Sequence, residues 1–329
     1  MRNYSLLKHA LRTTVGAALA CGLFSGAAAQ NWPERPITLV LPQPAGGGVD
    51  TVSRMWADFA SRKLGQPVVV DNKPGAGGAI AVQHVVHQPN DGYTVLAAGV
   101  SQMVLNKFTY KSLAYNPDKD LRGVAMLTTN PFLLVASPAS GIRSLADLLR
   151  EAKAHPQGLS FGSAGQGNST HLVVEMLQQR TGIKMTHVPY KGEAAALGDV
   201  MGGHLQVMAP VLSTGVKAAQ AGKVVPLMVL GAQRSADLPN VPSSNELGIK
   251  GFENIGWMGL AVRAGTPDAV VNRLHAISQE FLADPASQQR LQKMQVELMP
   301  GPANALEGFI AADTKRWAEA TKSLKLAAD

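Results

Sequence analysis

Residues 37–64 constrain the possible folds more than any other stretch. An apolar run, Ile37 to Leu41, leads into Pro44-Ala-Gly-Gly-Gly-Val-Asp50 and then into an amphipathic segment, Val49 to Leu64. The pattern predicts a strand, a tight glycine turn and a helix whose first amides lack partners within the helix. Three glycines let the backbone approach a ligand closely, and the helix start adds unpaired N–H donors and the positive end of a dipole, which together suit an anion. Phosphate fits poorly. A P-loop requires Gly-x-x-x-x-Gly-Lys-Ser/Thr and a dinucleotide loop requires Gly-x-Gly-x-x-Gly; residues 46–50 match neither. Asp50 opposes a multiply charged phosphate yet tolerates a single carboxylate. Taken alone, the loop is also consistent with a structural turn that binds nothing.

The first residues place the chain in a compartment. Arg2, Lys8 and Arg12 precede an apolar stretch, Val15 to Phe24, and Ala27, Ala28 and Ala29 close it. This reads as a secretory signal cut after Ala29, with an apolar part too short for a membrane span, so a periplasmic protein is expected. No later apolar run has spanning length, and the mature chain is expected to be soluble. The single cysteine, Cys21, falls inside the signal, so cleavage excludes disulfides and cysteine chemistry. Lipidation needs an aliphatic residue three before that cysteine, where Ala18 stands instead. Loss of the three signal cations leaves 27 Lys and Arg against 23 Asp and Glu, a net charge of +4. That balance mildly favours small anions. No basic run or interleaved aromatics of a nucleic-acid groove are present, so no nucleic-acid partner is expected. About 300 mature residues suggest two domains of ordinary size.

Strand and helix signals alternate after the first unit. Val68 to Val70, a turn over Asp71 to Gly78, a helix over Ala79 to His87, an apolar run over Tyr93 to Ala98 and a bend at Gly99-Val-Ser101 follow in order. Such alternation predicts a mainly parallel sheet, with ligands beyond the carboxyl ends of strands, where residues 45–48 and 99–101 would lie. Farther on the arrangement recurs: Leu159 to Phe161, a glycine-rich loop over Gly162 to Thr170, and a helix over His171 to Arg180. The repeat implies two similar α/β lobes sharing a cleft, and Glu253 to Val262 reads as an extended return to the first lobe.

Other chemistry fits less well. A serine hydrolase needs Gly-x-Ser-x-Gly, but Ser163 has Phe161 in place of the first glycine and Ser169 lacks the second; nearby His171 keeps an acyl-transfer reading open. His84 and His87 share one helix face without a local third ligand, so no metal is expected. Trp56, Phe59, Phe309 and Trp317 read as core. Arg54 follows Asp50 by one helical turn and can pair with it. If Arg54 neutralises Asp50, the helix start is freed to accept an anion, and Asp50→Asn retains or tightens carboxylate binding.

Five segments in order carry a resemblance: Pro44 to Asp50, Asn72-Lys-Pro-Gly-Ala-Gly-Gly78, Phe161-Gly-Ser-Ala-Gly-Gln-Gly167 with His171 and Leu172, Val188-Pro-Tyr-Lys-Gly192, and Trp257-Met-Gly-Leu260 before Gly265-Thr-Pro267. From about Trp32 to Trp317 the chain resembles the substrate-binding proteins of the tripartite tricarboxylate transporter family, also called Bug or TctC-like. The resemblance implies an α/β fold of the type II periplasmic binding protein kind, two lobes closing on a ligand like a Venus flytrap. Its lobes would comprise residues 30–127 with 257–329, and residues 128–256.

It also implies a non-enzymatic monomer without cofactor that passes a small carboxylate to membrane permease subunits. The ligand classes expected are di- or tricarboxylates, aromatic acids and amino acids. Family members hold the carboxylate through backbone amides and ordered water. Carried over, lobe one offers Gln43, Ala45, Gly46, Gly47 and Gly48 with Asp50 and Ser101. Lobe two offers Ser163, Ala164, Gly165, Gly167, Asn168 and Ser169, then Tyr190, Lys191 and Gly192. Gln43 stands where the family commonly has an aromatic residue, and Asn168 where it usually has serine or threonine, so the ligand's distal end is not inherited. As amides that donate and accept, both suit a ligand with a second polar group, or each bonds its own backbone. Alternative roles are a sensing subunit for a receptor kinase and a hydrolase on the same scaffold.

Overall fold

The computed structural model describes residues 32–156, 158–252, 256–294 and 296–321. The predicted signal, with Cys21 and the cleavage position, lies outside the described residues. Among those residues no helix is long and apolar enough to cross a membrane.

Two mixed sheets organise Arg35 onward. β1 (Ile37–Leu41), β2 (Val68–Asn72), β3 (Thr94–Gly99), β4 (Leu121–Thr129), β10 (Trp257–Arg263) and β11 (Glu297–Leu298) form the first, in the order β11-β4-β10-β3-β1-β2. β5 (Phe132–Ala136), β6 (Ser160–Ser163), β7 (Thr186–Pro189), β8 (Val207–Met208) and β9 (Val225–Leu230) form the second, in the order β7-β6-β8-β5-β9. Each sheet carries helices, giving the expected two-lobed α/β architecture.

A mainly parallel sheet does not form. β1 is parallel to β2 and β3, but β10 is antiparallel to both β3 and β4, and β11 to β4. The reason lies in the connections. β4 leads within three residues into β5 of the other sheet, and β10 brings the chain back, so one crossing strand runs out while its neighbour returns. At the crossing, Asn130 N–H donates to Gly256 O at 2.7 Å. β4 is almost wholly buried and reads Leu-Arg-Gly-Val-Ala-Met-Leu-Thr-Thr, without the alternation of a half-exposed strand. That continuity is why the sequence reading passed over it.

Helix α1 (Gly48–Leu64) starts one residue earlier than its apolar pattern, α2 (Ala79–Val86) and α4 (Ser169–Thr181) fall close to expectation, and α3 (Leu145–Ala154) and α5 (Glu193–Met201) lie on either side of α4 in the chain. α6 (Leu212–Gln220) occupies a stretch with no predicted element, while α7 (Asp268–Ala283), α8 (Pro285–Gln292) and α9 (Ala305–Thr321) complete the chain. The expected bend at residues 99–101 is instead a strand end: β3 continues through Gly99, and a π-type turn begins at Ser101.

The aromatics expected in the core are there. Trp56 is fully buried between α1 and α7, its Nε1–H donating to Ser278 Oγ at 3.1 Å, and Phe59 meets the edge of Phe281 with centroids 5.7 Å apart. Trp257 anchors β10 to α9 through an Nε1–H bond of 2.8 Å to Asp313. Truncating a side chain such as Trp56 costs about 3–5 kcal/mol, so these contacts hold the strand ends that carry the loops.

Candidate ligand-binding cleft

The first glycine loop is wired from behind. Gly47 caps α1 with extended backbone and no side-chain bond, leaving the first-turn amides of Gly48 and Val49 without helical acceptors. Asp50 turns back toward the loop: its Oδ2 accepts from Gly46 N–H at 3.0 Å and Arg54 Nε–H at 2.9 Å, and its Oδ1 accepts from Asn72 Nδ2–H at 3.0 Å. Asn72 Nδ2 also donates to Gln43 O at 2.9 Å, while Asn72 Oδ1 accepts from Arg54 at 3.0 Å. Burial pushes the Asp50 carboxyl up, but the bonds from Arg54, Gly46 and Asn72, with the charge of Arg54, outweigh it and hold the carboxyl below its usual range. Asp50 thus clamps the loop, and the Gly46 amide is spent on that clamp. Ala45 and Gly46 are exposed; Gln43, Gly47 and Gly48 are half-buried.

The second loop satisfies itself. Ser163, fully buried, accepts Gly165 N–H at 3.1 Å, and its hydroxyl lies 3.1 Å from Gly165 O and is hydrogen-bonded to His187 Nε2 at 2.6 Å. Ala164 N–H reaches Thr170 Oγ1 at 2.8 Å, and Gly167 N–H reaches His171 Nδ1 at 3.1 Å. Asn168 bonds its own backbone, Oδ1 accepting Thr170 N–H at 3.0 Å as the cap of α4. Behind the loop the imidazoles of His171 and His187 stack at 3.7 Å, with Phe161 against His187 at 4.9 Å. Burial, then the neighbouring His171, lowers the His187 pKa to about 3, so the ring stays neutral.

The Tyr190 turn contributes backbone. Tyr190 N–H donates to Ser163 O at 3.0 Å, whereas its phenol is bonded to Asp199 of α5, whose hydrogen bond raises the Tyr190 pKa to about 12. Lys191 is exposed, and Gly192 is buried at φ 151°. A Cβ at Gly192 would stand 2.5 Å from Pro44 Cγ, so only glycine lets this turn close on the first loop.

The lobes meet at these loops. Ser169 N–H donates to Ser101 Oγ at 3.1 Å, and Tyr110 OH donates to Gln166 O at 3.4 Å. Gly48 faces the start of α6, where a Cβ would lie 3.0 Å from Ser213 Oγ. Between the loops is a cavity of about 30 Å³, measured as the volume open to the centre of a water molecule. Gln43 and Val49 line one side, Ser101, Ser169 and Asn130 others, and Trp257 closes it. About two waters fit such a space; an organic acid requires the lobes to part.

Of the sequence-predicted residues, the cavity gathers Gln43, Ser101 and Ser169 on its walls. Gly47, Gly48 and Gly192 sit where the loops approach. Asp50, Ser163, Ala164, Gly165, Gly167 and Asn168 stiffen the loops from within. The sequence reading missed Asn72, Asn130, His187 and Ser213. Asn72 lay in a motif already singled out, and Asn130 would have come to notice had residues 121–129 been read as a strand. Among the described residues no group of three or more His, Cys, Asp or Glu is placed to hold a metal.

The family model described as "Tripartite tricarboxylate transporter family receptor" matches residues 52–326. The UPF0065 protein in the tcbD-tcbE intergenic region of Pseudomonas sp. (strain P51) is 35% identical over 309 residues, covering 93% of this chain and 92% of that protein. The structure of R. palustris Rpa4515 with adipate superposes with a TM-score of 0.85 at 31% identity, over 88% of this chain and 97% of the other. MatC (Rpa3494) from Rhodopseudomonas palustris, with bound malate, gives 0.83 at 30% identity, over 88% and 100%.

Proposed function

The chain belongs to the tripartite tricarboxylate transporter receptor family, periplasmic solute-binding proteins, and from that premise we propose how it takes its ligand. It is an exported, monomeric binder that closes its lobes, residues 30–127 with 257–329 and residues 128–256, on a small carboxylate and delivers it to membrane permease subunits. One observation carries the reading: the uncapped start of α1 faces a cavity whose opposite walls come from the other lobe and from the crossing. The Gly48 and Val49 amides receive one carboxylate, with Ser101 and Ser169 beside it. Each such charge-assisted bond contributes on the order of 1.5–3 kcal/mol, so a few suffice for micromolar affinity.

Similarity to proteins solved with adipate and with malate supports a carboxylate as the ligand. The cleft binds without turnover. Ser163, the residue nearest to a hydrolase nucleophile, is fully buried and its hydroxyl is held by Gly165 and His187.

A thermal-shift screen of the protein without its signal, against organic acids and amino acids, tests this. A ligand of the closed form raises the melting temperature in proportion to the logarithm of its concentration above Kd. Gly47→Val serves as the control: Gly47 has φ −82° and open space around a Cβ, so the variant folds, while the added bulk at the loop abolishes the shift. No shift across the panel refutes the carboxylate reading, and an undiminished shift in Gly47→Val removes this loop from the site.

A further inference from the structure

Resting on that carboxylate reading, we infer that Asn130 selects the other end of the ligand, and that this end carries a neutral hydrogen-bond donor, a hydroxyl first of all. Asn130 is 6% exposed, lines the cavity, and its Oδ1 has no hydrogen-bond partner in the protein. Gln102 lines the same cavity with its amide fully used: Oε1 accepts Gly99 N–H at 3.1 Å and Nε2 donates to Gly77 O at 2.9 Å. Asn130 has no such structural employment. A buried oxygen without a partner lowers stability, so its presence is explained by what enters the cavity.

The lining decides the class of partner. It contains no Lys, Arg or His to neutralise a second carboxylate, and no Asp or Glu to receive an ammonium. A carboxylate oxygen only accepts, so it can meet the Asn130 amide only through Nδ2–H and leaves Oδ1 without a donor. A hydroxyl donates to that oxygen and still accepts from elsewhere.

The position of Asn130 adds a consequence. It stands between β4 and β5, and its N–H holds Gly256 O beside the returning strand. A ligand bridging the α1 amides and Asn130 therefore spans from the first glycine loop to the crossing between the lobes, and closure follows from its length.

Three pairs differing by one hydroxyl at the end away from the carboxylate test this by calorimetry on the protein without its signal: butyrate and 4-hydroxybutyrate, valerate and 5-hydroxyvalerate, benzoate and 4-hydroxybenzoate. In at least one pair the hydroxy acid is expected to bind wild type about ten- to hundredfold tighter. Asn130→Leu, similar in volume but without hydrogen bonds, should bring that ratio to about one by weakening the hydroxy acid, leaving its partner unchanged, and should melt no lower than wild type. Asn130→Ala runs alongside as the variant that adds no bulk. Equal binding within every pair, or a ratio that survives both variants, overturns the inference while leaving the carboxylate reading standing. Loss of both acids in both variants also overturns it, as does a lowered melting temperature in both, which makes Asn130 structural. Absence of binding by all six acids refutes the carboxylate reading and the inference together.

Discussion

Asp50→Asn is expected to loosen the first loop and weaken binding, the reverse of what the sequence predicts. In sequence, Asp50 is a like charge beside an anion site, and removing it favours the ligand. In the structure both its oxygens are committed, to Gly46 and Arg54 on one side and Asn72 on the other. Asparagine keeps one oxygen. If that oxygen retains Gly46 and Arg54, the new amide N–H faces the Nδ2–H of Asn72, donor against donor. Turning Asn72 over repairs this contact but breaks its bonds to Gln43 O and from Arg54. Bonds to a charged group are worth about 1.5–3 kcal/mol each, and the substitution removes one and the charge assistance of the others. The expected loss is about 2–4 kcal/mol, a fall of roughly 3–6 °C in melting temperature for a chain of this size.

Because Gly46 is then untethered, ordering the loop falls on the ligand, and affinity should drop about tenfold, equivalent to 1.4 kcal/mol. Differential scanning calorimetry gives the first quantity and titration calorimetry the second. A pH series identifies the cause. The Asp50 carboxyl lies below its ordinary value, so its stabilisation is complete above the unfolded value and is lost as pH falls through the lower native one. The gap between wild type and variant should narrow below about pH 4. Identical melting at neutral pH, or a gap that ignores pH, refutes the clamp, and a tightened affinity restores the sequence-based expectation.

Three further substitutions separate loop-building from ligand contact. Gly192→Ala places a methyl 2.5 Å from Pro44 Cγ at φ 151°; scattering should show a more open molecule and titration a loss of about tenfold or more in affinity, with secondary structure kept. His187 is neutral in the fold with a pKa near 3 against an ordinary 6.5, so between those values the unfolded chain binds a proton that the native one refuses. Stability should fall as pH drops through that window, by on the order of 4 kcal/mol, and His187→Gln should flatten the slope in acid melts. Tyr190→Phe removes a hydroxyl committed to Asp199, so ligand affinity should hold within twofold while the melting temperature drops slightly; a large affinity loss would put the phenol in the site.

The architecture was legible because it follows from local pattern. Strand β1, its glycine turn and α1 are written in consecutive residues, and so are β6, the second loop and α4; a capping asparagine at 168 is as readable as the glycine at 182 that ends the helix. What local pattern misses is a strand buried on both faces. β4 has no alternation to detect, and its absence from the reading hid both the mixed character of the first sheet and the place of Asn130 at the crossing.

What the sequence leaves open at the candidate site is its chemistry. Glycine loops mark where backbone can approach a ligand; they do not say which amides remain free to bind it. That depends on partners far along the chain: Asn72, 22 residues from Asp50, secures the clamp that takes the Gly46 amide, and His187, 24 residues from Ser163, secures the second loop. Once those bonds are formed, Gly46, Ala164, Gly167 and Ser169 have spent their N–H groups, and the uncapped first turn of α1 has not. The two loops that look alike in sequence therefore divide the work. Lobe one leaves the first amides of α1 unpaired, and lobe two is stiffened by stacked imidazoles and an asparagine cap; on the proposed reading, a ligand's affinity depends on how well it fills the gap between α1 and Asn130.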